Sequence, residues 1–171
     1  MKIYEDIYNK IIEEIVEIRR YLHQYPEISE KEYHTSKFIN NYLEKIGIES
    51  KIIGDTGGVG TLINNKSYPT IVLRAEIDAL PIDEKNSFEY KSRNKGIMHA
   101  CGHDGIVAVV LGLAKILKKN KDKLNCNVKF IFEPAEEIGK GAKKLIKEKI
   151  LENPKVSIWF KIFGRKVKKI I

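Results

Sequence analysis

A chain of 171 residues, 43% apolar and 32% charged, is long enough for one cored domain, and its longest apolar run, residues 106–117, is broken by Lys115 and too short to cross a bilayer. Two cysteines make no disulfide framework, and the first ten residues lack the apolar stretch of a secretory leader, so a cytoplasmic location is expected. The net charge of +8 comes from scattered lysines, dense only at 118–123 and 161–169, with no nucleic-acid-binding motif beside them; a solvated basic surface is expected, with neither nucleic acid nor membrane as partner.

Ile7, Ile11, Ile15, Ile18 and Leu22 recur at helical spacing and predict an amphipathic first helix. Beyond Pro26, Ser29 with Glu32 reads as a capping box opening a second helix, which Gly47 should stop. The period then changes. Residues 48–53 and 59–63 read as strands separated by the turn-rich Gly54-Asp55-Thr56-Gly57-Gly58. No helix directly follows Gly57-Gly58-Val59-Gly60, so it is a turn into a strand rather than a phosphate-binding loop. Residues 71–75 are consecutively apolar up to Arg74, as in a strand buried on both faces. Asp104 is placed to cap a helix over about 105–117, residues 128–132 form another buried strand, 139–149 a helix and 156–160 a strand. This alternation predicts an α/β fold, a layered sheet with helices on both faces.

In such sheets ligands gather at the carboxyl ends of strands, and three polar clusters fall there. Arg74-Ala75-Glu76-Ile77-Asp78 puts two acids two apart; by itself a strand-end cap or an ion pair with Arg74 is the favoured reading. His99-Ala100-Cys101-Gly102-His103-Asp104-Gly105 places a thiol and an imidazole two apart, both good zinc ligands, between glycines that allow close approach. In an extended segment that spacing is too wide for a Cys/His nucleophilic dyad, which leaves a metal site level with a buried cysteine and a capping histidine. Glu133-Pro134-Ala135-Glu136-Glu137 ends a buried strand with neighbouring carboxylates expected to point in different directions, one free to bind a metal and the other to act as general base.

Together these stretches resemble the zinc metallopeptidase and amidohydrolase family of aminoacylase, hippurate hydrolase and the indole-acetyl-amino-acid hydrolases. The matching segments are Arg19-Arg20-Tyr21-Leu22-His23-Gln24-Tyr25-Pro26-Glu27, Arg74 to Ile82, Gly96 to Gly105, and Pro134-Ala135-Glu136-Glu137 with Gly141-Ala142, in the family's order and spacing, over about residues 10–156. The resemblance implies a three-layer α/β/α mixed sheet holding two divalent ions, zinc, manganese, cobalt or nickel. It implies Cys101, His103 and Glu137 as metal ligands, Glu136 as general base and Asp78 as a supporting residue near the site. The implied reaction is hydrolysis of an N-acyl amino acid, of hippurate or N-acetyl type, by metal-activated water.

The chain departs from the family in three ways. Glu76 stands where an Asp is usual, and Gly105-Ile106-Val107-Ala108 replaces a Gly-His-Thr-Ala. The expected domain plan is residues 1–156 as the N-terminal part of the catalytic domain and 157–171 as a divergent, basic, apolar tail, without the lid and dimerisation domain or the later histidine ligands. All four histidines precede residue 104; His23 and His34 are expected to cap or pack. A shifted reading frame near codon 157 would give this pattern, and a truncated, catalytically inactive remnant or a non-catalytic metal-binding fragment is the alternative to an active enzyme.

Overall fold

The apolar stripe of the first helix is the face it buries. α1 runs Lys2–Gln24, and Ile11, Ile18 and Leu22 are buried while Ile12 and Val16, off the stripe, are exposed. The computed structural model describes residues 2–161. α2, Tyr33–Lys45, starts later than the expected capping box would put it. Neither Ser29 nor Glu32 caps it: Ser29 Oγ donates to Asp78, and Glu32 accepts the Ala135 N–H at 2.7 Å. The Glu27 carboxylate satisfies the free amides instead, accepting the N–H groups of His34 at 3.2 Å and Thr35 at 2.8 Å. Gly47 lies just past the helix end at φ +78°, as its position predicted.

The strands are β1 Glu49–Ile53, β2 Gly57–Leu62, β3 Thr70–Glu76, β4 Asn127–Glu133 and β5 Val156–Lys161. β2 includes Gly57 and Gly58, which sequence had placed in the turn. Glycine belongs in this strand because α2 presses on it: a Cβ on Gly60 would lie 2.8 Å from the Leu43 side chain. The sheet order is β1-β2-β4-β3-β5. β1 and β2, and β2 and β4, are antiparallel, whereas β3 is parallel to both β4 and β5. The sheet is therefore mixed.

α3, His103–Lys119, begins after Gly102, which takes the left-handed φ of +79°. Its apolar side packs with α1 and α2 on one sheet face, around Phe130, Phe132, Leu111 and Ile39. The short α4, Gly141–Lys147, covers the other face, with Leu145 and Ile150 against Val72 and Ile131. This gives the three expected layers. Each large side chain so buried contributes about 1.5–3 kcal/mol. One buried residue in β4 is not apolar. Lys129 is 1% exposed, and its ammonium donates to the carbonyls of Ile150, Asn153 and Pro154. Burial, with the charge of Lys51 adding to it, lowers its pKa.

Between β3 and α3 the chain crosses residues 77–102 without a helix or a strand. Isolated bridges pin its start and end, pairing Ile28 with Ala79 and Leu80 with Met98. Residues 162–171, most of the segment expected to diverge, lie outside the described residues.

Candidate metal centre

Parallel pairing sets Glu76 opposite Glu133, so the segments leaving β3 and β4 emerge side by side. Arg74 clamps both strand ends. Its Nη1 donates to Glu76 at 2.8 Å and its Nε to Glu133, which keeps the guanidinium charged: burial opposes, and the two carboxylates outweigh it. The ion-pair reading thus holds for Glu76. Asp78, two residues on, has a different place.

Asp78 is fully buried and joins three segments. Its backbone carbonyl accepts a hydrogen bond from His103 Nδ1 at 2.8 Å. Its Oδ2 accepts the Ser29 hydroxyl at 2.7 Å and the Glu137 N–H at 2.9 Å, and its Oδ1 lies 3.4 Å from His103 Nδ1. Burial alone would raise the Asp78 carboxyl, but the bonds from His103, Glu137 and Ser29 bring it below its ordinary value. His103 responds in the opposite sense: burial disfavours its charge, and Asp78 more than offsets that, raising its pKa.

With Nδ1 occupied by the carbonyl, His103 turns Nε2 to the carboxylates. Nε2 is 3.9 Å from Glu136 Oε2 and 3.9 Å from Glu137 Oε1. The ligand atoms of His103, Glu136 and Glu137 all lie within 4.8 Å of one another. The two glutamates therefore converge instead of pointing apart. The chain gets there through Ala135, at the left-handed φ of +51°, directly after Pro134. Glu137 Oε1 is buried with no hydrogen-bond partner. An unpartnered buried carboxylate oxygen beside an imidazole nitrogen suits a divalent cation, so the residues present fit a metal.

Cys101 is exposed and lies outside this three-residue group. The Glu137 carboxylate first, then burial and the other nearby carboxylates, push its pKa up to about 11. A cation bound among the carboxylates would reverse the local field and favour the thiolate.

In the sequence Asp104 was misjudged and His99 passed over, while His23, expected to cap or pack, packs in the interior. Asp104 does not cap α3; its Oδ2 accepts from Arg19 Nε at 3.1 Å and meets His23 Nδ1 at 2.8 Å. His23 Nε2 is 3.1 Å from Glu84 Oε1, while Glu84 Oε2 accepts the Ser92 N–H at 2.6 Å. Phe88 and Tyr90, stacked at 4.2 Å, flank the imidazole. His23 thus fastens the long 77–102 segment to α1 and α3, and its partners lie 61 and 81 residues away, beyond any local signal. His99 is buried with both ring nitrogens unpartnered; burial, against the pull of Asp104, pushes it down to about 4. His34 is exposed on α2, away from the cluster.

Residues 72–167 match the sequence profile of Peptidase family M20/M25/M40. An N-acetyl-L-cysteine deacetylase of Bacillus subtilis is 46% identical over 136 residues, 79% of this chain and 33% of that protein. Thermostable carboxypeptidase 1 of Saccharolobus solfataricus is 47% identical over 141 residues, 80% of this chain and 36% of that protein. A crystal structure from Bacillus subtilis, described as a dinuclear metal-binding peptidase of the M20 family, superposes with a TM-score of 0.88 at 36% identity, over 93% of this chain and 45% of that one. This chain spans about a third of the length of these curated relatives. The profile covers more than half of the residues, and the superposition carries the same fold through β1 and the first helices. The chain belongs to peptidase family M20/M25/M40.

Proposed function

We propose that this chain supplies the metal-binding and proton-transferring groups of a metal-dependent amidohydrolase that cleaves the amide bond of N-acyl amino acids, of hippurate or N-acetyl type. The observation that carries this reading is His103, held at Nδ1 by the Asp78 carbonyl and facing two carboxylates with Nε2. The curated relatives named as a deacetylase and a carboxypeptidase support an amide substrate.

Cys101, His103 and Glu137 would hold the metal. A divalent ion there, zinc, manganese, cobalt or nickel, would polarise the scissile carbonyl and make the attacking water more acidic. Glu136, the more exposed carboxylate of the pair, takes the proton of that water on its carboxylate oxygen and returns it to the leaving nitrogen. Asp78 is out of substrate's reach, fully buried under His103. It acts as a positioning residue, fixing the imidazole orientation and the backbone of Glu137.

The test is metal content together with release of free amino acid from N-acetyl- and N-benzoyl-amino acids, with and without chelator. Glu136→Gln should keep its metal and lose turnover by about 10²–10⁴-fold. His103→Ala and Glu137→Gln should lose the metal itself. Turnover that survives in Glu136→Gln would remove Glu136 as the base. Metal binding without any turnover would support the non-catalytic reading instead.

A further inference from the structure

The carboxylate cluster hangs on the conformation of Ala135. This residue is fully buried and takes φ +51°, a left-handed backbone that is unfavourable for a residue with a Cβ and persists only where the surroundings hold it. The next two residues are the glutamates of the cluster. The peptide planes on either side of Ala135 therefore set where both carboxylates emerge.

The two polar backbone groups of Ala135 are held in different ways. Its carbonyl accepts the Lys140 N–H at 3.1 Å and the Gly141 N–H at 3.2 Å, which closes the turn on itself. Its N–H reaches much further along the chain and donates at 2.7 Å to Oε1 of Glu32. Glu32 stands just ahead of α2, where a carboxylate could cap the helix from solvent, yet it makes no cap. It is fully buried instead, fixed through its own carbonyl, which accepts the Ser36 N–H at 2.9 Å. Burying a carboxyl is costly. Burial raises the pKa of this one, against the pull of the Ala135 N–H and of Thr56. Tying this segment to the start of α4 does not require that burial, because Glu30 already makes the link at the surface through Lys140 and Lys144. What Glu32 adds is the hold on Ala135.

We infer that Glu32 is a positioning residue of the metal centre: by holding the Ala135 N–H it keeps the turn left-handed, and so keeps Glu136 and Glu137 converged on His103. The inference rests on the proposed metal site, and it extends that site to a residue that touches none of its ligand atoms. Asp78 anchors the far side of the same turn through the Glu137 N–H, so the two glutamates are strung between two buried carboxyl groups. Without Glu32 the turn relaxes in the metal-free chain. A cation must then draw it back, which weakens binding.

The experiment titrates the full chain with cobalt(II), read by absorbance, and follows hydrogen exchange at the Glu137 amide in the metal-free chain by NMR. Glu32→Gln keeps an acceptor for the Ala135 N–H and should bind cobalt nearly as tightly as the unchanged chain. Glu32→Leu, similar in volume but without the acceptor, should weaken cobalt about tenfold or more, the scale of one buried amide left without its partner. It should also speed exchange at Glu137. Combining Glu32→Leu with Ala135→Gly should recover part of the affinity, because glycine takes a positive φ without strain; general damage to the fold would not be recovered in this way. Glu30→Ala removes only the surface pairs of the same segment and should leave cobalt affinity unchanged. Urea midpoints check that each variant folds. If Glu32→Leu does not fold, Glu32→Asp replaces it: the shorter side chain keeps the charge, falls short of the Ala135 N–H and should weaken cobalt. Cobalt affinity unchanged in the variant that lacks the bond overturns the inference, and so does Glu32→Gln binding as weakly as Glu32→Leu, since charge and not the bond would then matter. If the unchanged chain takes no cobalt, the metal reading fails, and exchange at Glu137 decides the hold by itself: faster exchange in the variant supports it, and equal exchange overturns it.

Discussion

Gly141 is held to glycine by the turn that delivers the two glutamates. A Cβ there would overlap the Pro134 carbonyl oxygen and come within 2.7 Å of Glu133 Cγ. Backbone on one side and a clamped carboxylate on the other leave no room to yield. Gly141→Ala should destabilise the fold by about 2–4 kcal/mol, in the range of overpacked sites, and should weaken metal binding because the displaced segment carries Glu136 and Glu137. Urea midpoints and a metal titration measure the two effects; an unchanged midpoint would mean that the turn is looser than its geometry. His99 gives a pH dependence. Its folded pKa is about 4 against an ordinary 6.5, with burial as the main cause. The unfolded chain binds the proton first, so this group's contribution is complete above pH 6.5 and is lost as pH falls towards 4, up to about 3 kcal/mol. Asp78 is shifted down from 3.8, so its contribution is lost only below that pH, and His103, shifted up, loses its own as pH rises above 6.5. Urea unfolding at pH 6.5 and 4.5 should show the drop, and His99→Leu should flatten it.

At the scale of elements, the 77–102 segment depends on His23. The imidazole lies between two buried carboxylates, Asp104 at the start of α3 and Glu84 in the segment itself. His23→Ala would leave both without this partner and should destabilise by about 3 kcal/mol, the scale of a broken buried pair. It should also raise amide exchange at Ser92, which bonds to Glu84, and at Arg93, which bonds to the Gln24 carbonyl. Protection unchanged at those two amides would assign the fastening to the Phe88–Tyr90 stack instead. Which elements could be read in advance follows the same division. The helical stripe of α1, the buried strands and the Gly47 stop are local patterns, and they appear where the sequence puts them. The glutamate that caps α2 and the carbonyl that orients His103 are not local. Glu27 lies outside the helix it caps, and Asp78 meets Ser29 across 49 residues and Glu137 across 59. Ser29 and Glu32 had the right spacing for a capping box, but buried partners elsewhere took both side chains. Lys129 interrupts an apolar strand for the same reason, since nothing in the local sequence announces the three carbonyls that receive it.

For the molecule as a whole, the motifs singled out candidate residues, and tertiary pairing brings three of them, His103, Glu136 and Glu137, together. Glutamates expected to diverge converge on His103, and Cys101 lies outside the three-residue group. The β3–β4 register, which sets residue 70 against 127 and Glu76 against Glu133, has a kinetic consequence. His103, Glu136 and Glu137 are scattered in an extended chain, and they form a group only after two strands remote in sequence have paired in parallel, an intrinsically slow kind of closure. A cation that needs all of them finds no site on the early side of the barrier. Saturating metal should therefore leave the refolding rate in stopped-flow mixing nearly unchanged and slow unfolding instead, by about a hundredfold at a hundred times the dissociation constant. The ion would act as a latch on a finished structure, not as the seed around which it forms.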